Sequence, residues 1–148
     1  MDNNEIKIQG VLFSPVKKIN HDNGNLLHII RNFDEGFDGF GEAYISTINY
    51  NKIKAWKKHV KMTTNMVVPI GKVKMIIFDD RPGSLTNGVF NEYIMSINNY
   101  CRLTIPPNLL YGFMGLDKSV NMIINVASIS HDPNEQINYE KNHLKYNW

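Results

Sequence analysis

Short apolar or alternating runs recur along the chain at intervals of about 8–12 residues, which is the spacing of strands in all-β domains. The runs read GVLFSPV, NLLHIIR, EAYISTINY, IKAWKKHV, NMVVPI, KVKMIIF, VFNEYIMSI, CRLTIPP and VNMIINVASIS. Between them lie breaks such as HDNGN, DEGFDGFG, DDRPGS and TNG, and such Asn-Gly or Gly-rich breaks are typical of β-hairpins. No window of about 11 or more residues keeps a helical apolar period, so long helices are not expected.

About nine short strands in one chain predict an antiparallel β-sandwich or barrel. The length of 148 residues fits a single domain spanning residues 1–148. The polar tail NEQINYEKNHLKYNW, residues 134–148, is expected to form a short helix or a docked extension. Because such folds must cover or pair their edge strands, a homodimer formed through an edge is also expected.

Composition and charge exclude several classes of function. The net charge of +2 is too small to indicate a nucleic-acid partner, and the single cysteine, Cys101, excludes an internal disulfide. The opening MDNNEIKIQG lacks the apolar core of a signal peptide, and the longest apolar runs are far shorter than the roughly 20 residues that span a bilayer. The expectation is a cytoplasmic protein without a membrane partner.

The segment KIKAWKKHVKMTTN, residues 52–65, is the only densely basic stretch of the chain. If it forms a strand, alternation places Lys57 and His59 on one face and Lys54 and Trp56 on the other, and neither face is cleanly apolar. An exposed edge strand protected by lysines explains this pattern, but so does a functional site, because sites tend to break local sequence rules.

Neither a metal site nor a nucleotide loop is indicated by this segment. His59 has a lysine where a second histidine ligand would stand, and no Cys or His pair elsewhere has ligand spacing, so no metal is expected. The glycine patterns that cradle phosphates in P-loop and dinucleotide folds are absent from the sequence. Clustered lysines on a β-surface can still bind a diphosphate as point charges.

Several segments taken together resemble the dTDP-4-dehydrorhamnose 3,5-epimerase family. The stretch KIKAWKKHVKMTTNMVVPIGKVKMIIFDDRPGSLTNG is similar to the family's central portion, which ends in D-x-R…S-x-T-x-G, and CRLTIPPNLLYGFMGL is similar to IP-x-G-x-x-H-G-F-x-x-L. DEGFDGFGEAY and NVASISHDPNE resemble an upstream and a late family segment. The resemblance covers roughly residues 10–137. It implies a cupin-type double-stranded β-helix (jelly-roll) barrel that needs no metal or other cofactor and forms dimers.

The family abstracts a proton next to the ketone of a nucleotide-linked 4-keto sugar. This chemistry needs a base, an acid on the other face of the ring and a group that stabilises the enolate. In the family a histidine backed by an aspartate is the base, a tyrosine is the acid and a lysine holds the enolate. The resemblance therefore implies a dTDP- or GDP-linked sugar as the partner.

The catalytic positions carry over only in part. The family's catalytic histidine falls on Lys57, its enolate-binding lysine near Asn65, its tyrosine acid on Asn125, and the histidine of its H-G-F motif on Tyr111. Asp132 is the nearest candidate for the carboxylate partner. The family's glutamate on the substrate side matches Glu42, a phosphate-binding arginine falls on Lys54, and Arg81 of the D-x-R block is either a substrate contact or a structural brace.

Three possibilities follow from these substitutions. His59, turned inward by a β-bulge, takes the role of the base with a reference pKa of about 6.5. Alternatively Lys57 serves, with its pKa lowered to about 7–8 by burial and neighbouring lysines. Tyr111 is a substitute acid or a packing residue. The third possibility is a catalytically silent cupin that binds a nucleotide sugar or serves as a partner subunit; a sugar 3,4-ketoisomerase is a weaker alternative.

Overall fold

The computed structural model describes residues 5–148, which contain twelve β-strands and one 3-10 helix, Lys141–His143. The strands are β1 (Leu12–Pro15), β2 (Lys18–Ile19), β3 (Leu26–Leu27), β4 (Glu42–Ile48), β5 (Ile53–His59), β6 (Thr64–Ile70), β7 (Lys72–Phe78), β8 (Phe90–Ser96), β9 (Cys101–Ile105), β10 (Leu110–Gly115), β11 (Asn121–Ala127) and β12 (Gln136–Asn138). Among the described residues no helix is long and apolar enough to cross a membrane.

Two five-stranded antiparallel sheets face each other. The first sheet has the strand order β1-β9-β6-β11-β4, the second has the order β12-β5-β10-β7-β8, and β2 and β3 form a separate hairpin. Strands that are consecutive in the chain often lie in different sheets, so the chain crosses repeatedly between the two layers. The expected all-β, jelly-roll architecture is confirmed.

The main core lies between the two sheets, because alternate residues of each strand point inward. Met66 and Val68 of β6 pack against Val73, Met75 and Ile77 of β7, and all five side chains are almost completely buried. Full burial of one such side chain stabilises the fold by about 1.5–3 kcal/mol. The inner faces are apolar through the middle of the sandwich, and polar groups are left to its open side.

A β-bulge interrupts the alternation of β5. Tyr111 of β10 pairs with Lys57, but Phe113 pairs with Lys54, so the two residues between Lys57 and Lys54 oppose the single residue Gly112. A Cβ atom on Gly112 would lie 2.6 Å from the Ala55 side chain, which explains a glycine here. The prediction that Lys54 and Lys57 lie on opposite faces is therefore wrong: the bulge brings both to the inner face.

The C-terminal tail covers the outer face of the second sheet. Trp56 and Leu110 point outward there and pack against Leu144, Tyr146 and Trp148. The Trp56 indole Nε1 donates a hydrogen bond to the backbone carbonyl of residue 141 at 3.1 Å. The tail thus forms a docked extension that contributes strand β12 and the 3-10 helix, and it buries an aromatic cluster that would otherwise face water.

Candidate functional site

An open cleft lies where the edge strand β4 of the first sheet approaches β5 and β10 of the second. Its volume is about 350 Å³. It is lined by Ser46, Lys54, Ala55, Trp56, Lys57, Tyr111, Phe113, Asn138 and Tyr139. The cleft therefore combines aromatic and apolar side chains with two lysines and two tyrosines, which is the composition of many small-molecule sites.

The two lysines of the cleft have different surroundings. The Lys54 ammonium donates hydrogen bonds to the Thr47 carbonyl at 2.8 Å and to the Ser46 hydroxyl at 3.3 Å. Among residues 5–148 the Lys57 ammonium has no hydrogen-bond or ion-pair partner. Burial, followed by the positive charge of Lys54, lowers the pKa of Lys57. Lys57 is therefore a cation that lacks a protein acceptor at the cleft wall.

His59 follows Lys57 by two residues and shares its inward orientation. Its Nδ1 contacts the carboxylate of Glu135, and its Nε2 lies 3.2 Å from the hydroxyl of Tyr111. The other Glu135 oxygen accepts hydrogen bonds from the backbone amides of Lys61 and Met62, each at 3.2 Å. The three side chains form a continuous buried chain from Glu135 through His59 to Tyr111.

The hydrogen bonds fix the tautomer of His59. Burial lowers the pKa of His59 below 6.5, so the imidazole is neutral at pH 7. Burial also acts to raise the pKa of Glu135, but its hydrogen bond and charge interaction with His59 and its two backbone donors outweigh this and lower it. Glu135 is thus a carboxylate that accepts the Nδ1 proton of His59. The Nε2 lone pair is left to accept the hydroxyl proton of Tyr111.

Tyr111 connects the buried histidine to the cleft. Tyr111 is one of the residues that line the cleft, whereas His59 is not. Burial, followed by the nearby Tyr44 and Glu135, raises the pKa of Tyr111 well above 10, so the hydroxyl keeps its proton at neutral pH. A proton that arrives at the Tyr111 oxygen can displace the tyrosine's own proton onto His59. The arrangement can therefore accept a proton from a cleft ligand and return it.

A second tyrosine, Tyr44, lies on the facing sheet, two residues from the cleft residue Ser46 but not itself in the cleft lining. Tyr44 of β4 pairs in register with Asn125 of β11. The Asn125 amide Nδ2 donates a hydrogen bond to the Tyr44 hydroxyl oxygen at 2.9 Å. Asn125 is almost completely buried, and its carbonyl oxygen accepts the backbone N–H of Asn65 at 3.1 Å. The resemblance implies a tyrosine at position 125. This chain has Asn125 there instead, and its amide binds the hydroxyl of the neighbouring Tyr44.

Asn65 does not lie in the cleft. Its side chain points to the outer face of the first sheet, where its Nδ2 donates to the Gly36 carbonyl at 3.0 Å and its Oδ1 accepts from the Thr104 hydroxyl at 2.6 Å. Residues with the parity of Met66 face inward in β6, so Asn65 faces outward. The expectation that Asn65 binds a substrate is corrected: it anchors the loop around residue 36 to the sheet.

The carboxylate partner of His59 is Glu135. The expectation that Asp132 has this role is therefore corrected. Asp132 accepts the backbone N–H of Asn134 on its side chain at 2.9 Å, and its backbone carbonyl accepts the N–H of Glu135 at 3.1 Å. Asp132 thus forms the turn that presents Glu135. Sequence reasoning did not identify Glu135, and its place in the motif DPNE, directly before a terminal strand, was the one available signal.

Arg81 and Glu42 lie outside the cleft lining. The Arg81 guanidinium donates to both oxygens of the buried Asp79 at 2.9 and 2.8 Å and to the Gln9 carbonyl at 2.8 Å. These contacts fit a loop brace and not a substrate contact. Glu42 is half-buried at the start of β4, two residues before Tyr44. Within residues 5–148 no group of three His, Cys, Asp or Glu side chains is placed to hold a metal ion.

Comparisons with known proteins agree with this fold. No family model matches the chain. The crystal structure of a dTDP sugar isomerase from Desulfovibrio desulfuricans G20 is 30% identical, with a TM-score of 0.89 over 92% of this chain and 87% of the other. Solved dTDP-4-dehydrorhamnose 3,5-epimerases from Elizabethkingia anophelis NUHP1 and Bacillus anthracis share the fold at 14% and 16% identity, with TM-scores of 0.76 and 0.78.

Two curated proteins align over most of the chain. The spore coat polysaccharide biosynthesis protein SpsL of Bacillus subtilis is 26% identical over 145 residues, covering 95% of this chain and 96% of SpsL. The probable low-salt glycan biosynthesis epimerase Agl13 of Haloferax volcanii is 25% identical over 131 residues, covering 84% of each. With the double-sheet fold and the 30% identity to a dTDP sugar isomerase, these similarities show that the chain belongs to the dTDP-4-dehydrorhamnose 3,5-epimerase family.

Proposed function

We propose that the protein is a nucleotide-sugar epimerase that acts on a nucleotide-linked 4-keto hexose, such as a 4-keto-6-deoxyhexose, during surface polysaccharide biosynthesis. The observation that carries the proposal is the hydrogen-bonded chain Glu135–His59–Tyr111, which ends at a cleft lined by two lysines. The similarity to a dTDP sugar isomerase and to two proteins of polysaccharide and glycan biosynthesis supports the substrate class.

Proton abstraction passes through Tyr111. The bond between the ring carbon next to the ketone and its hydrogen breaks, and the proton goes to the Tyr111 oxygen while the tyrosine's own proton moves to His59 Nε2. Glu135 stabilises the imidazolium that results, as a carboxylate does behind many catalytic histidines. Because Tyr111 lies between His59 and the cleft, the two residues act together on one face of the sugar instead of on opposite faces.

The lysines stabilise the negative charges of the substrate. Lys57, which has no hydrogen-bond acceptor among the described residues, binds the enolate oxygen that develops at the ketone. Lys54, held at the mouth by Ser46 and Thr47, carries the charge that a diphosphate requires. Lys57 therefore takes over the enolate-binding role that the resemblance places near Asn65, a residue on the outer face of the first sheet.

Exchange in heavy water tests this function. The protein is incubated in D₂O with a panel of dTDP- and GDP-linked 4-keto sugars, and deuterium at C3 and C5 is followed by NMR and mass spectrometry. Deuterium is expected at one or both positions in at least one sugar. Glu135→Gln is expected to lower the exchange rate by about 10²-fold or more, since it removes the acceptor that orients His59.

Asp132→Asn is the matched control, because Asp132 lies three residues away and only shapes the turn. It should exchange at close to the parental rate. Absence of exchange with every sugar in the panel would contradict the function, and equal loss in both variants would contradict the role of Glu135.

A catalytically silent protein that binds a nucleotide sugar is the second candidate. It is favoured by the lysine at position 57 and the asparagine at position 125, where the resemblance implies the histidine base and the tyrosine acid. A rise in melting temperature with dTDP, without exchange in any 4-keto sugar, would identify it. Formation of a 3-keto product in the same assay would instead identify a 3,4-ketoisomerase.

The proposal includes a cytoplasmic homodimer. The two sheets have four edge strands, β1, β4, β8 and β12, and a second copy can cover one of these edges. Sedimentation analysis at several concentrations measures the oligomeric state, and a monomer at all of them would contradict the dimer.

A further inference from the structure

Epimerisation by removal and return of a proton needs two proton carriers on opposite faces of the ring. Glu135, His59 and Tyr111 supply one carrier, from the wall formed by β5 and β10. The position at which the resemblance implies the second carrier holds Asn125, whose amide has no proton to give at neutral pH. The proposed function is therefore complete only if another residue on the β4 and β11 wall supplies this group.

Tyr44 lies on that wall. Its side chain points to the inner face of β4 in register with Asn125, two residues from Ser46, which lines the cleft. About a third of its surface is exposed, 36%, so the ring is accessible from the open side of the sandwich. Tyr44 therefore belongs to the sheet that faces Tyr111, next to the cleft lining at Ser46, and it is not sealed in the core.

The hydrogen bond from Asn125 determines what the Tyr44 hydroxyl can do. The Asn125 Nδ2 donates to the Tyr44 oxygen at 2.9 Å, so the bond occupies a lone pair and leaves the hydroxyl proton available to another acceptor. The geometry of this bond is fixed, because Asn125 is almost completely buried and its other end holds the backbone of β6. Burial, opposed by the Asn125 hydrogen bond and aided by Glu42 and Glu135, raises the pKa of Tyr44, which keeps the hydroxyl protonated.

We propose that Tyr44, positioned by Asn125, is the proton donor on the face of the sugar opposite Tyr111. This inference rests on the proposed function. In the second half of the reaction the Tyr44 O–H bond breaks and a C–H bond forms at the enolate carbon, which inverts the stereocentre. The Tyr44 phenolate then takes a proton from water and leaves hydroxide. The His59 imidazolium releases its proton through Tyr111 to the solvent, which neutralises the hydroxide. Asn125 acts as a positioning residue because it touches Tyr44 and not the reacting carbon.

The test compares exchange with inversion in one sample. Tyr44→Phe removes only the hydroxyl, so the ring still packs and the variant is expected to fold. Deuterium exchange that retains configuration should proceed within about threefold of the parental rate, since it uses only Tyr111 and His59. Formation of the epimer should fall by about 10²-fold or more, which is the usual contribution of a positioned acid.

Tyr50→Phe is the matched control, since Tyr50 follows the same strand and is similarly exposed. It should exchange and epimerise at the parental rates. If Tyr44→Phe forms the epimer at the parental rate, or if exchange and inversion fall by the same factor, Tyr44 is not the opposite donor. The unaltered protein distinguishes failure of the Tyr44 role from failure of the proposed function. If it exchanges deuterium and Tyr44→Phe does not slow epimer formation, only the role of Tyr44 is overturned. If it exchanges deuterium with no sugar, the proposed function is overturned.

Discussion

The imidazole Nε2 of His59 lies 3.2 Å from the hydroxyl of Tyr111, and the two rings are stacked at a centroid separation of 6.0 Å. This contact joins a histidine that is only 4% exposed to the wall of an open cleft. On the proposed mechanism, the buried His59 can therefore accept a proton, through Tyr111, from a cleft ligand that it does not contact. On the same mechanism, a phenylalanine at position 111 would end the proton path.

Because Tyr111 and His59 are proposed to share one proton path, the effects of their substitutions on the exchange rate should be non-additive. Tyr111→Phe and His59→Gln should each lower deuterium exchange by about 10²–10⁴-fold. The double variant should be no slower than the slower single variant, because residues that act as one unit lose their function together. The control Tyr100→Phe removes a hydroxyl that bonds the His28 carbonyl outside the cleft, and exchange should be unchanged. If the fold-losses of the two single variants multiplied in the double variant, Tyr111 and His59 would act independently, which would contradict the shared path.

The pH dependence of exchange should show an acidic limb below pH 6.5. Burial lowers the pKa of His59 from 6.5, so the imidazole stays neutral and able to accept a proton until the medium is more acidic than that value. The same shift gives a stability effect of defined sign. The unfolded state binds the proton first, so this contribution is complete above pH 6.5 and decreases as the pH falls toward the lowered pKa.

Exchange rates and urea midpoints measured from pH 4 to 8 test both effects. In His59→Gln the midpoint should change less over this range than in the parent. A kinetic limb centred above pH 6.5 would contradict the neutral, buried histidine.

The two cleft lysines should separate turnover from binding. Lys57→Gln removes the charge proposed to stabilise the enolate, which exists only in the course of reaction, so kcat should fall by about 10²-fold with little change in KM. Lys54→Gln should instead raise the Kd for dTDP, since Lys54 is proposed to bind the diphosphate in the ground state. Titration calorimetry and steady-state rates measure the two effects. If Lys57→Gln instead raised the Kd for dTDP and Lys54→Gln lowered kcat, the two lysines would have the opposite roles.

The loop after β7 should depend on one buried carboxylate. Asp79 is fully buried and accepts hydrogen bonds from Arg81, Ser84 and Thr86. Burial acts to raise the pKa of Asp79, but these bonds outweigh it and hold the pKa far below its usual range. Asp79→Ala leaves Arg81 without its partner and should lower the free energy of unfolding by about 3–5 kcal/mol.

Asp80→Ala is the control for this loop. Asp80 forms an ion pair with Lys58 at 2.6 Å and is about one-third exposed, so its loss should cost about 1 kcal/mol or less. Urea denaturation compares the two variants, and equal effects would contradict the special role of Asp79.

The fold class follows from the spacing of apolar runs and turn residues, but one strand that matters for the site does not. Strand β10 carries Tyr111, yet its residues LYGFMG follow two prolines and contain two glycines, which indicate a loop when read locally. Its place in the sheet depends on hydrogen bonds to β5 and β7 and on Gly112 fitting beside the Ala55 side chain. Tertiary pairing therefore decides a segment that local preference assigns differently.

The candidate site shows the same limit. Strict alternation places Lys57 and His59 together but separates them from Lys54, because a bulge leaves no mark in the hydrophobic pattern. Asp132 and Glu135 lie three residues apart, and the turn geometry that brings only Glu135 to the histidine is not visible in the sequence. The roles of His59, Lys57 and Tyr111 remain predictions, now with defined contacts.

Glu135 comes from the segment that follows β11, and strand β12 fastens that segment to β5. During synthesis on the ribosome, the strands that enclose the hydrophobic interior emerge before the carboxylate that orients His59. A nascent chain, or one clipped by a protease before residue 135, would thus hold a cleft with an unoriented histidine. On the proposed mechanism, the chain therefore gains an oriented base only when the tail docks.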